Sequence, residues 1–146
     1  MDATNLTETI FKAADLVRGS MDAAAYSEVV SAVLLLKWAS DQPGQLEVPA
    51  PARWDRVAEH AATSPVEALY EALTALLGSN REILAEQSWI PDFRTRLSRP
   101  EAQRLIELFD NVSLETDSLK FEDVVGQAYD RVLGAFADAA GFVGIA

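Results

Sequence analysis

Apolar residues recur at intervals of three and four along most of the chain, which is the spacing of one helix face. The first such segment predicts a helix that begins at Asn5 and ends at Gly19. The second runs from a cap at Asp22 to Trp38 and carries apolar residues beyond a single stripe. We therefore expect it to be the central helix of a bundle, covered on more than one side.

A long loop interrupts this pattern. Residues Ser40 to Pro51 include three prolines and a glycine, which predicts a surface loop near 41–51. Pro51 then opens a short predicted helix that carries Trp54. Ser64, followed by Pro65 and Glu67, gives the clearest helix start in the sequence, and Gly78 is the expected end of that helix.

The second half of the chain repeats these signals. Residues 79–97 predict short, irregular elements around Pro91, and Ser98 with Glu101 predicts another capped helix. A last helix is predicted from the stripe Val124, Val125, Ala128, Tyr129, Val132, Leu133, Phe136, Ala137 and Ala140. The fold class is therefore all-α, and we expect one domain over 1–146 built as a bundle of about five to seven helices.

Composition narrows the class of partner. The chain has 146 residues, of which 49% are hydrophobic, and its formal net charge is −11. Such a charge is repelled by phosphate backbones and anionic membranes, so we expect no membrane contact and DNA contact only through a local patch. The chain has no cysteine, which constrains the compartment only weakly. Its acidic N-terminus does not resemble a signal peptide, which favours a cytoplasmic location.

Catalytic and metal-binding patterns are missing from the sequence. The sole histidine, His60, cannot build a His-rich zinc site, and we interpret it as a surface or boundary residue. No serine lies in a nucleophile elbow, and the glycines form no dinucleotide fingerprint or phosphate loop.

Arginines are concentrated in one short stretch. They form a candidate weak phosphate-contact patch, but the favoured interpretation is that they pair with neighbouring acids such as Asp92, Glu101 and Glu107. The four arginines are Arg94, Arg96, Arg99 and Arg104. Trp38, Trp54 and Trp89 are interpreted as core or boundary residues because each has apolar neighbours.

Several motifs resemble a known family when they are taken in order. The first is a turn with Ala14, Asp15, Arg18 and Gly19, followed by Tyr26 and by the helix ending Leu36, Lys37, Trp38, Ser40 and Asp41. Trp54 and Asp55 follow the loop, and the closing stretch has Gly126, Ala128, Tyr129, Leu133, Phe136 and Ala137. Together these segments resemble the N-terminal domain of the modification (M, or HsdM) subunit of type I restriction-modification systems.

That resemblance implies a non-catalytic helical domain. In the family, this bundle precedes an S-adenosylmethionine-dependent domain that methylates adenine N6, and it helps the M subunit to assemble and to close around DNA. The implied partners are the other M subunit and the specificity (S) subunit, with the restriction (R) subunit as a further candidate and DNA only in the full complex. The family's assembly candidates map to Asp15, Arg18, Gly19, Tyr26, Lys37, Trp38, Asp41, Gly126 and Tyr129.

The sequence departs from the family after Ala137. It contains neither the Gly-rich, Phe-Tyr-Thr-Pro segment nor the Asn-Pro-Pro-aromatic motif, so we expect no catalytic or cofactor site in this chain. Two other interpretations stay open: a free-standing, truncated M-like interaction protein, and an unrelated acidic helical enzyme.

Overall fold

The computed structural model describes residues 12, 13, 15–17, 23–42, 44, 46–84 and 91–112. Within these residues the fold is an all-α bundle around one apolar core, which confirms the predicted fold class. The single domain predicted over 1–146 extends beyond the described residues. The α-helices are Ala23–Asp41, Trp54–Glu59, Pro65–Ser79, Arg81–Leu84, Phe93–Arg96 and Arg99–Asp110, and a 3-10 turn spans Ala50–Ala52.

Ala23–Asp41, the central helix, is enclosed by other elements. Every residue from Val29 to Ala39 is buried, so the helix has no exposed stripe along this length. It contacts the Trp54–Glu59, Pro65–Ser79, Phe93–Arg96 and Arg99–Asp110 helices. The expectation of a core helix covered on more than one side is confirmed. Among the described residues, no helix is both long enough and apolar enough to cross a membrane.

The segment before the central helix is described in part. Residues 12, 13 and 15–17 are helical, as the predicted helix from Asn5 to Gly19 requires, and Ala13 and Val17 are fully buried in the core. The predicted caps Asn5 and Asp22 and the predicted helix end at Gly19 lie outside the described residues. So does the last predicted helix with its stripe from Val124 to Ala140.

The loop after the central helix is shorter than predicted. The helix continues to Asp41, and a 3-10 turn occupies Ala50–Ala52, where Pro51 lies at one of the first two positions. Pro51 therefore does not open the next α-helix, which begins at Trp54 after the N-cap residue Arg53. The exposed Gly44 has a φ of +97°, a conformation that residues with a Cβ rarely adopt.

Two serine caps with similar sequence signals differ in the structure. Ser98 forms a complete capping box, because its Oγ accepts from the Glu101 amide at 3.3 Å and Glu101 Oε1 accepts from the Ser98 amide at 3.0 Å. Ser64 occupies the N-cap position of the Pro65–Ser79 helix, but its side chain makes no cap hydrogen bond. The predicted helix start is confirmed, with Ser64 as the N-cap residue and Pro65 as the first helical residue. The side-chain hydrogen bond is missing at Ser64, whose φ of −146° and ψ of 63° differ from the extended geometry of Ser98.

Asn80 connects the long loop to the bundle through hydrogen bonds. The Pro65–Ser79 helix does not end at Gly78, as predicted, but continues to Ser79 with Asn80 as its C-cap. The side chain of the buried Asn80 donates from Nδ2 to the Leu76 carbonyl at 2.8 Å and to the Glu47 carbonyl at 2.8 Å. Its Oδ1 accepts from the backbone N–H of Glu47 at 2.9 Å. One side chain therefore provides hydrogen bonds to a carbonyl in the last turn of the helix and to both backbone groups of a loop residue.

The two serines make a matched pair of substitutions. We predict that Ser98→Ala lowers the free energy of unfolding by about 1 kcal/mol, because it removes both bonds of the capping box. Ser64→Ala removes a hydroxyl that makes no cap bond, so its loss should be clearly smaller. Urea unfolding of both variants followed by circular dichroism checks this, and equal losses would contradict the difference between the two caps.

Candidate functional site

Several residues that carry the family resemblance meet at the C-terminal end of the central helix. Lys37, Ser40 and Asp41 come from this helix, and Trp54 comes from the first turn of the next α-helix. Asp110, at the end of the Arg99–Asp110 helix, joins them through the Trp54 indole. We call these five residues the Trp54 cluster.

Lys37 brings a positive charge into the edge of the core. Its Nζ forms a salt bridge with the Asp41 carboxylate one helical turn later, and the two side chains are only 6% and 16% exposed. The same Nζ lies 5.8 Å from the centroid of the Trp54 ring, within the range of a cation–π contact. A buried ammonium group is costly unless it is paired, so Asp41 and Trp54 together make Lys37 tolerable at this position.

Trp54 connects three helices through two hydrogen bonds. Its backbone N–H donates to Ser40 Oγ at 3.0 Å, which satisfies a free amide at the start of its helix. Its indole Nε1–H donates to Asp110 Oδ1 at 2.9 Å. Because the ring itself is buried, Trp54 is both an apolar anchor and a polar connection. Its interpretation as a core or boundary residue is confirmed.

The remaining assembly candidates are placed differently. Trp38 is fully buried, which confirms its interpretation as a core residue, whereas Asp15 is exposed. Tyr26 lies in the central helix, and its side chain is outside the described part of the structure. The candidates Arg18, Gly19, Gly126 and Tyr129 lie outside the described residues. So does Trp89, the third tryptophan interpreted as a core or boundary residue.

An open cleft adjoins the Trp54 cluster. It lies between the end of the central helix, the loop and the start of the Trp54–Glu59 helix, and the exposed Arg53 and Asp55 carry opposite charges there. Its lining consists of Ala39, Ser40, Gly44, Leu46, Val48, Arg53 and Asp55. This surface offers charged and apolar contacts to another molecule.

Two arginines of the candidate phosphate patch are held by separate partners. Arg94 pairs with Asp92 through Nη2–Oδ2 and Nε–Oδ1 distances of 3.0 and 3.1 Å, and its guanidinium carbon lies 3.8 Å from the Tyr70 ring centroid. Arg99 donates to the Ala62 carbonyl at 2.8 Å. The interpretation that these arginines pair with neighbouring acids is therefore confirmed for Arg94.

The other two arginines of the patch are exposed, as Arg94 and Arg99 are. Arg96 lies on the Phe93–Arg96 helix, whereas Arg104 lines a different groove together with Lys12 and Asp15. Glu101, one of the proposed acidic partners, closes the capping box with Ser98. Arg94 and Arg96 thus share one short helix, whereas Arg104 belongs to a groove that none of the other three arginines lines.

The Asp92–Arg94 pair has a pH dependence of known sign. The side-chain hydrogen bond from Arg94 lowers the pKa of Asp92 below its ordinary value. The pair therefore raises the free energy of unfolding at pH values above the ordinary carboxyl pKa. This contribution disappears as the pH falls through the lowered pKa of Asp92. Both side chains are well exposed, so solvent screening keeps the effect small.

His60 lies at the boundary between core and solvent, as interpreted from its sequence context. It is half-buried, and its Nδ1 lies 2.9 Å from the Arg56 carbonyl oxygen. Within the described residues, no three His, Cys, Asp or Glu side chains are grouped so that they could hold a metal ion.

Comparison with known proteins identifies no relative of this chain. No protein-family model, no curated protein and no solved structure matches the chain. The motifs of the sequence, and the contacts that their residues make, are therefore the evidence on function.

We predict that the two aspartate ion pairs differ sharply in their effect on stability. Asp41→Asn should cost on the order of 3 kcal/mol, because it leaves the charge of Lys37 buried without its carboxylate. Asp92→Asn makes the same change in an exposed pair and should cost much less. Chemical denaturation at pH 7 measures both. Equal losses would show that the Lys37–Asp41 pair is not a buried interaction.

Proposed function

We propose that this chain is a non-catalytic helical assembly domain of a type I restriction-modification M subunit. The observation that supports the proposal is the Trp54 cluster. Lys37, Ser40 and Asp41 of one motif and Trp54 of the next form one connected set of contacts at the end of the central helix. Motifs that are separate in the sequence thus form a single structural unit.

In this proposal the Trp54 cluster fixes the geometry of a surface and does not carry out chemistry. Lys37 and Trp38 are buried, so a partner subunit would sense them only through the elements that they hold in place. The neighbouring cleft, where Asp55 is exposed, is the surface that a partner would contact. A rigid, preorganised surface lowers the entropic cost of association.

The charge of the chain favours protein partners over DNA. The formal net charge is −11, and two of the four clustered arginines are held by Asp92 or by a backbone carbonyl. An exposed phosphate backbone is repelled by such a surface outside a local basic patch. DNA contact is therefore assigned to the full complex, in which the other subunits contribute their own charges.

Methyl transfer is assigned to the parent subunit, which would use S-adenosylmethionine. We assign no step of that reaction to this chain, because its sequence has neither the Gly-rich segment nor the Asn-Pro-Pro-aromatic motif of the family. The alternative function is a free-standing, truncated M-like interaction protein without methyltransferase activity. The DNA downstream of codon 146 distinguishes them: an open frame that continues into Asn-Pro-Pro favours the domain, and a stop codon favours the alternative.

The proposal is tested by capture of its partners. The tagged 146-residue chain should retain M and S subunits that are encoded beside it in its own genome. Asp55→Lys reverses a charge at the cleft next to the Trp54 cluster, so we expect weaker capture by this variant with unchanged circular dichroism. Glu82→Lys reverses an exposed charge on the Arg81–Leu84 helix and is the matched control.

Two results would oppose the proposal. If the folded wild-type chain retains neither the M nor the S subunit, the assembly function is wrong. If Asp55→Lys and Glu82→Lys reduce capture equally, the assignment of the cleft as the contact surface is wrong.

DNA binding gives an independent prediction. We expect the chain alone to bind duplex DNA more weakly than about 1 µM at physiological salt, because its net charge opposes the phosphate backbone. A fluorescence titration with labelled duplex measures this DNA affinity. In a separate measurement, calorimetry with S-adenosylmethionine should show no heat of binding. Sub-micromolar DNA affinity would instead point to a direct DNA-binding role.

A further inference from the structure

We draw no further inference here: the strongest candidate, the shallow and mostly apolar groove that Leu16 and Leu108 line between residues 12–17 and the Arg99–Asp110 helix, carries none because nothing in the structure shows what covers it.

Discussion

The fold depends on the enclosure of the central helix. Every residue from Val29 to Ala39 is buried, so no side of this stretch can face water. Fully burying one leucine, such as Leu34, Leu35 or Leu36, contributes about 1.5–3 kcal/mol, and this gain is available only when other helices cover it. In a folded protein most of the stability of a helix comes from such packing and not from intrinsic helix propensity. The surrounding helices are therefore arranged by the need to cover a helix that has no polar face.

Lys37 is the exception within this apolar stretch, and it explains why the Trp54 cluster lies where it does. Its charge reaches the end of the core only because Asp41 neutralises it and the Trp54 ring lies nearby. Trp54 is in turn fixed by Ser40 and by Asp110. The same residues thus solve a problem of buried charge and join three helices, which links the family-like motif to the architecture.

Local signals in the sequence were sufficient for the helices and for some of their ends. The surplus of apolar residues in the central helix predicted its enclosure, and Ser98 with Glu101 predicted a capping box that the structure contains. Contacts between distant residues could not be predicted in this way. The Trp54–Asp110 bond joins residues 56 positions apart, and the Asn80–Glu47 bonds join residues 33 positions apart. Ser64 shows the opposite case, in which the right residue type lacks the backbone geometry that a side-chain cap needs.

Native-state hydrogen exchange can show whether the enclosed helix holds the bundle together, because it measures the free energy at which each backbone amide opens. If the enclosed helix holds the bundle together, the amides of Val33 to Ala39 should exchange only through global unfolding. Their opening free energy should equal the free energy of unfolding measured with denaturant. The amides of the Trp54–Glu59 helix should open at the same or a lower free energy. Exchange of the central helix at a lower free energy than the Arg99–Asp110 helix would contradict this account.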